Sequence, residues 1–283
     1  GRLPMQRRVP ITEAQRELSY AKYYDEEIVT PPQESLALIQ KGPIDPAEAL
    51  PISERNRLFE PGYLEAEIGF CIMPDGTGYV ANLTRMPGVT AEMFDWWFAW
   101  HGLGELRYTI WDPEDHYSAR SLNPAVGRCD KLSLKERYWN TTHLIREDIG
   151  GGVEELCASF RQPKDLGFDE DKIGTPACGT IVAALAGPTD GSGSEVMCHF
   201  VRETEGGVEL RTRFWMGWTI VNGREVKTLS DGVKILEEAA RMLLMHNVKE
   251  FHQLAHILPR IYAEQKDNWN EGAAFIKKAA IEK

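Results

Sequence analysis

The sequence predicts an α+β domain in which an antiparallel sheet packs against one long C-terminal helix. Three observations predict it. The runs TTHLIREDI, LCASF, GTIVAALA, EVMCHFVR and GVELRTRFWMGWTIV are rich in Thr, Val, Ile, Phe and Trp and are separated by Gly, Pro and Asp turns. Ahead of them, EAEIGFCIMPDGTGYVANLTRM sets two apolar-rich runs around Pro74-Asp75-Gly76-Thr77-Gly78, a hairpin signature. Behind them, LEEAARMLLMHNVKEFHQLAHILP is long and apolar on more than one side. That suits a helix lying across a strongly curved sheet, the helix-grip plan. Such a sheet and helix enclose a cavity suited to apolar small molecules.

Residues 1–62 carry Pro31, Pro32, Pro43, Pro46 and Pro51 with short helical pieces between them. Proline fixes φ and ends helices, so this stretch is read as an extended arm that wraps something. Residues 63–283 form the second unit. After the hairpin, Thr90 is placed to cap a helix through AEMFDWWFAWHGL that closes near Gly102. A loop region follows, broken by Pro113, Asn123, Pro124 and Gly127. The last strand run ends at the Asn222-Gly223 turn. Ser230 or Asp231 then starts the final helix, which Pro259 kinks or ends.

Composition narrows the class. The chain has 283 residues, 42% of them hydrophobic, enough for one large domain with an appendage. A formal net charge of -11 without a basic run argues against nucleic acid and anionic membrane as partners. No apolar run has transmembrane length and no signal-peptide pattern is visible, so a soluble, cytoplasmic protein is expected. The five cysteines are scattered without CxxC spacing and read as reduced, packed thiols.

The ionisable residues carry the chemistry. His246 and Glu250 lie one helical turn apart on the same stripe as Leu236, Leu243, Leu254 and Ile257. A buried carboxylate pairs, takes up a proton or binds a metal. His101 ends the tryptophan-rich helix, four residues after Trp97 on its buried face. It reads as a ligand or as a core histidine bonded to a carbonyl. In TTHLIREDI, alternation turns Thr141, His143, Ile145 and Glu147 to one side, so Glu147 points inward. Glu136, in an exposed turn or short helix, is the alternative. His199 lies among apolar neighbours on a strand, as a functional or a packed histidine. His116, in Asp112-Pro113-Glu114-Asp115-His116, reads as loop, and His252 and His256 as a surface or kink pair.

Taken together, His101, Glu147, His246 and Glu250 offer two imidazoles and two carboxylates from three elements. That mix suits zinc, ahead of iron or manganese, and a cation there would activate water. Trp96, Trp97, Trp100, Phe214, Trp215 and Trp218 form an aromatic wall, as core or as a platform for an aromatic ligand. A non-catalytic carrier of aromatic polyketides and a metal-dependent lyase or cyclase are the alternative functions.

The stretches GPIDPAEALP, EPGYLEAEIGFCIMPDGTGYVA, RMPGVTAEMFDWWFAWHGL, RYTIWDPEDH, THLIREDIG, RFWMGW and HNVKEFHQLAHILPRIY resemble one family across residues 43–262. It is the 2,4-diacetylphloroglucinol hydrolase and phloretin hydrolase group. The resemblance implies a zinc-dependent hydrolase acting on carbon–carbon bonds in ketones, with one Zn2+ per chain. It implies a helix-grip fold like those of START and birch-pollen-allergen proteins and a homodimer made through the N-terminal arm. It implies a metal shell of His101, Glu147, His246 and Glu250. Glu147 and His199 are expected to act in catalysis, with His199 or a zinc-bound water as proton donor. Trp97 and Trp215 are expected to hold a small aromatic acylphloroglucinol. RFWMGW offers tryptophans where the family uses a tyrosine, so the substrate is expected to differ from diacetylphloroglucinol.

Overall fold

Apolar alternation broken by tight turns drives the chain into strands from Gly69 onward. The computed structural model describes residues 7–272. β1 (Gly69–Ile72) and β2 (Gly78–Pro87) form the expected hairpin about Pro74–Thr77. The chain then crosses to the far edge through the helix Ala91–Trp100 and a second, short helix, Glu105–Thr109. Thr90 caps the first of these by accepting the Met93 amide, as its position predicts. Six strands return in sequence: β3 (His116–Ser121), β4 (Thr142–Glu147), β5 (Glu154–Arg161), β6 (Thr180–Pro188), β7 (Glu195–Thr204) and β8 (Gly207–Met216). β8 pairs with β2, so the sheet runs β1-β2-β8-β7-β6-β5-β4-β3, antiparallel throughout.

The helix Glu237–Gln265 lies in the concavity of this sheet, and the architecture is α+β helix-grip. Leu244, Val248, Phe251, Leu254, Ile257, Leu258 and Ile261 are buried along it. It starts later than Ser230 or Asp231 suggest. Gly232 takes a positive φ of 79°, and the Ile235 amide donates to Gly76 O, so this segment is tethered to the hairpin instead of coiling. Leu236 precedes the helix and is exposed. Pro259 sits inside the helix without ending it. The run GVELRTRFWMGWTIV divides at Gly217 (φ 90°), beyond which β9 (Trp218–Val221) pairs with β10 (Arg224–Lys227) in a separate two-stranded sheet.

Both faces of the sheet are covered. Inside, Val182, Ala184, Val201 and Leu210 pack against the long helix and the tryptophan helix. Outside, Cys198, Phe200 and Trp215 pack against Leu50, Ile52, Leu58 and Phe59 of the arm. The start of the arm returns to the inner layer, where Tyr20 meets Trp100 edge-on with ring centroids 5.1 Å apart. Among the described residues no helix is long and apolar enough to cross a membrane.

Candidate metal-binding site

His246 and Glu250, on successive turns of the long helix, face the open edge of the sheet as their spacing predicts. Two strand ends meet them. His116 is the first residue of β3 and Glu147 the last of β4, and the two are register partners. Glu250 Oε2 lies 2.9 Å from His116 Nε2 and 2.9 Å from His246 Nε2. Glu147 Oε2 lies 3.3 Å from His246 Nε2 and 3.9 Å from His116 Nε2. The two Nε2 atoms are 3.3 Å apart. All four side chains are buried or nearly so.

The surrounding hydrogen bonds fix what these atoms can be. His116 Nδ1 is 3.1 Å from the Tyr108 carbonyl, which can only accept, so the ring proton sits on Nδ1. His246 Nδ1 is 2.8 Å from Asp115 Oδ2, and the same logic holds. Both Nε2 atoms therefore face the same place as two carboxylate oxygens, each free to carry a proton or to bind a cation. Two buried carboxylates meet there, and they repel unless positive charge stands among them. Burial alone would push the His246 imidazolium down and the Glu250 carboxyl up. Glu250, Glu147 and Asp115 nevertheless hold His246 well above the usual histidine range, and His246 with His116 holds Glu250 down to about 2. The site thus calls for positive charge, which a proton on His246 supplies and which a bound metal ion would replace.

A supporting layer orients the four. Tyr108 stacks on His116 with centroids 3.7 Å apart and donates its hydroxyl to Glu147 Oε2 at 2.8 Å. Trp111 donates to the Glu250 carbonyl at 2.7 Å. Lys249 donates to Asp115 Oδ1 at 3.0 Å. Asp112 is buried with Oδ2 unpartnered among the described residues, 3.7 Å from His246 Nδ1. Asp112, His116 and His246 also bring one donor atom each within 4.8 Å of one another, so this buried group can hold a metal ion.

The other expected site residues lie elsewhere. His101 makes no hydrogen bond or ion pair with the cluster. Its Nδ1 donates to the Trp97 carbonyl at 2.8 Å, closing the end of its helix. The Tyr108 ring stacks against both His101 (centroids 5.9 Å apart) and His116. Trp97 stacks on His101 at 5.6 Å within the core, its indole N–H unpartnered among the described residues. Trp215 is on the outer face, donating to the Leu50 carbonyl at 2.9 Å, and cannot line a cavity under the helix. Trp218 packs on the same outer side. Glu136 is exposed and closes a capping box with Ser133. His199 is on the inner face, with Nδ1 2.9 Å from Thr212 Oγ1 and Phe251 4.8 Å away edge-on. Burial lowers it to about 4, so it is neutral near pH 7.

Sequence reasoning missed His116, Asp115 and Tyr108. One signal was present: Asp115 immediately before His116, in an acidic turn framed by Trp111 and a strand, is the composition of a carboxylate-supported histidine site.

Fold and site define a helix-grip protein with a buried cluster of two histidines and two glutamates at the edge of its sheet. The chain belongs to the family described as the DAPG hydrolase PhiG domain, whose sequence model matches residues 50–263, and it is by that membership a hydrolase. A phloretin hydrolase of Eubacterium ramulus is 42% identical over 265 residues, covering 93% of this chain and 96% of the relative. A 2,4-diacetylphloroglucinol hydrolase of Pseudomonas sp. is 34% identical over 280 residues, covering 93% and 94%. Among solved structures, Ara h 8.0201 overlays with a TM-score of 0.41 at 8% identity, over 65% of this chain and 98% of that one. Ginseng major latex-like protein 151 overlays with a TM-score of 0.37 at 14% identity, over 63% and 98%.

Proposed function

We propose that this chain hydrolyses the bond between the aromatic ring and the acyl carbon of C-acylated phloroglucinols, using one zinc ion held by His116, Glu147, His246 and Glu250. The observation that carries the reading is the convergence of two imidazole Nε2 atoms and two carboxylate oxygens in one buried place, with each Nδ1 already hydrogen-bonded to an acceptor. Ligands about 2.0–2.2 Å from a tetrahedral ion stand roughly 3.3–3.6 Å from one another, and the separations involving the two imidazoles run from 2.9 to 3.9 Å. Asp112 faces the Nδ1 side of His246, where Asp115 already sits, and is left in a supporting place. His101 is replaced by His116 in the proposed shell.

A zinc ion bound there would polarise the acyl oxygen and activate water at neutral pH. The chain's own groups do the rest. Tyr108, kept protonated by burial and by Glu147, holds that glutamate in place. Neutral His199, anchored by Thr212, offers its second ring nitrogen to a substrate hydroxyl. Phe94, Phe98, Phe214 and Phe251 close around it and exclude bulk water. The polyhydroxy ring leaves as an enolate once a hydroxyl proton has moved to its acylated carbon. Water adds to the acyl carbonyl, the ring–acyl bond breaks, and the products are a carboxylic acid and the deacylated ring.

The relative with 42% identity is a phloretin hydrolase, which supports phloretin ahead of diacetylphloroglucinol. A homodimer made through residues 1–62 remains part of the proposal, and sedimentation of chains with and without that arm tests it. Zinc-dependent release of phloretic acid or acetate is the expected result when both substrates are assayed side by side. Turnover that persists in chelated protein overturns the metal. Tight binding of either substrate without any product favours the carrier.

A further inference from the structure

We infer that Asn247 is a positioning residue for the metal site, and that it is itself aimed by Asn82 of β2. The inference rests on the four-residue shell proposed above and goes one layer beyond it. Glu250 divides its two oxygens. Oε2 faces the imidazoles, while Oε1 accepts from Asn247 Nδ2 at 3.2 Å. Asn247 Oδ1 in turn accepts from Asn82 Nδ2 at 2.8 Å, and Asn82 Nδ2 also reaches Thr84 Oγ1 at 3.4 Å.

The direction of this chain is forced from its end. A carboxylate only accepts, so Asn247 must turn its amide nitrogen to Glu250 and its oxygen to Asn82. Asn82 must then present its own nitrogen. Two buried amides thus run in one order from the middle of β2 to a proposed ligand on the long helix. Both asparagines are at most 2% exposed, beside Val80, Leu244, Val248 and Phe251. An apolar pair would fill such a place without hydrogen-bonding demands, so the amides serve orientation rather than burial. Without Asn247, the Glu250 carboxyl is free to rotate and to divide its time between its two oxygens.

The test measures affinity for Zn2+ alone, by competition with a chromophoric chelator, beside thermal unfolding of the metal-free protein. Asn247→Leu keeps the volume and removes the donor, and Asn82→Ala removes only the anchor. Expected are a roughly 10–100-fold weaker affinity for Asn247→Leu, within the range for groups that support metal ligands, and a smaller loss for Asn82→Ala. The double variant should lose no more than Asn247→Leu, because the two act through one chain. One ion per chain should still bind at saturation. An unchanged affinity in either folded variant, or losses that add in full, overturns the inference. If Asn247→Leu does not fold, Asn82→Ala alone decides. A wild-type protein that binds no zinc would instead sink the shell on which the inference rests.

Discussion

Replacing Glu250 by Gln keeps the side chain's shape and removes one negative charge from the proposed shell. One pair of unit charges about 4 Å apart at an effective dielectric constant near 20 is worth about 4 kcal/mol, and the ion is divalent, so affinity should fall by at least about 1,000-fold. The loss is visible in stability. At free zinc about 1,000 times Kd, wild type gains about 4 kcal/mol; the variant, at the same free zinc, sits near its own Kd and gains only about 0.4 kcal/mol. For a chain of this length, roughly 2–4 °C per kcal/mol turns these gains into a zinc-induced rise in Tm of roughly 8–16 °C for wild type and 1–2 °C for Glu250→Gln. Scanning calorimetry at buffered free zinc reads both. An equal rise in the two proteins would refute the placement of Glu250 at the ion.

Two further predictions test other regions. Trp215→Ala should destabilise by about 3–5 kcal/mol, as for a buried aromatic truncated in a core, yet leave kcat of the folded fraction unchanged; a selective fall in kcat would put this indole back in the cavity. Glu195 lies on the inner side of β7, and burial, helped by Glu147 and Glu154, raises its carboxyl from 4.5 to about 7. An acid with a raised native pKa favours folding while protonated, so its contribution is lost as pH climbs from about 4.5 through about 7. Glu195→Gln should therefore match wild type near pH 4.5 and exceed it near pH 8, by at most about 3 kcal/mol. Denaturant unfolding at the two pH values checks this, and parallel pH curves would contradict it.

Much of this molecule can be read from local pattern. The strand runs, the Pro74–Thr77 hairpin and the Thr90 cap follow from alternation and turn chemistry. The i,i+4 pair His246/Glu250 and the inward parity of Glu147 follow from helix and strand periodicity. The errors have physical causes. Trp215 and Phe214 look alike because both faces of β8 are buried, so polarity does not report which face is inside. His199 paired with Thr212 across the strands would have shown the parity, but that register is tertiary. His101 is legible as buried, yet nothing local says that it bonds the Trp97 carbonyl or that Tyr108 stacks on both it and His116. His116 sits in an acidic turn and becomes a strand residue only through pairing with Glu147 of β4. Glu136 carried a local signal, the Ser133 capping box, which marks it as a helix-end residue.

The most direct test compares two histidines. Metal content of purified His116→Ala and His101→Ala, measured beside wild type after loading with zinc and removal of excess, separates the shell built here from the one the sequence suggests. One ion per chain in wild type and in His101→Ala, with almost none in His116→Ala, is the expected result. Retention of the ion in His116→Ala and its loss in His101→Ala would contradict the site.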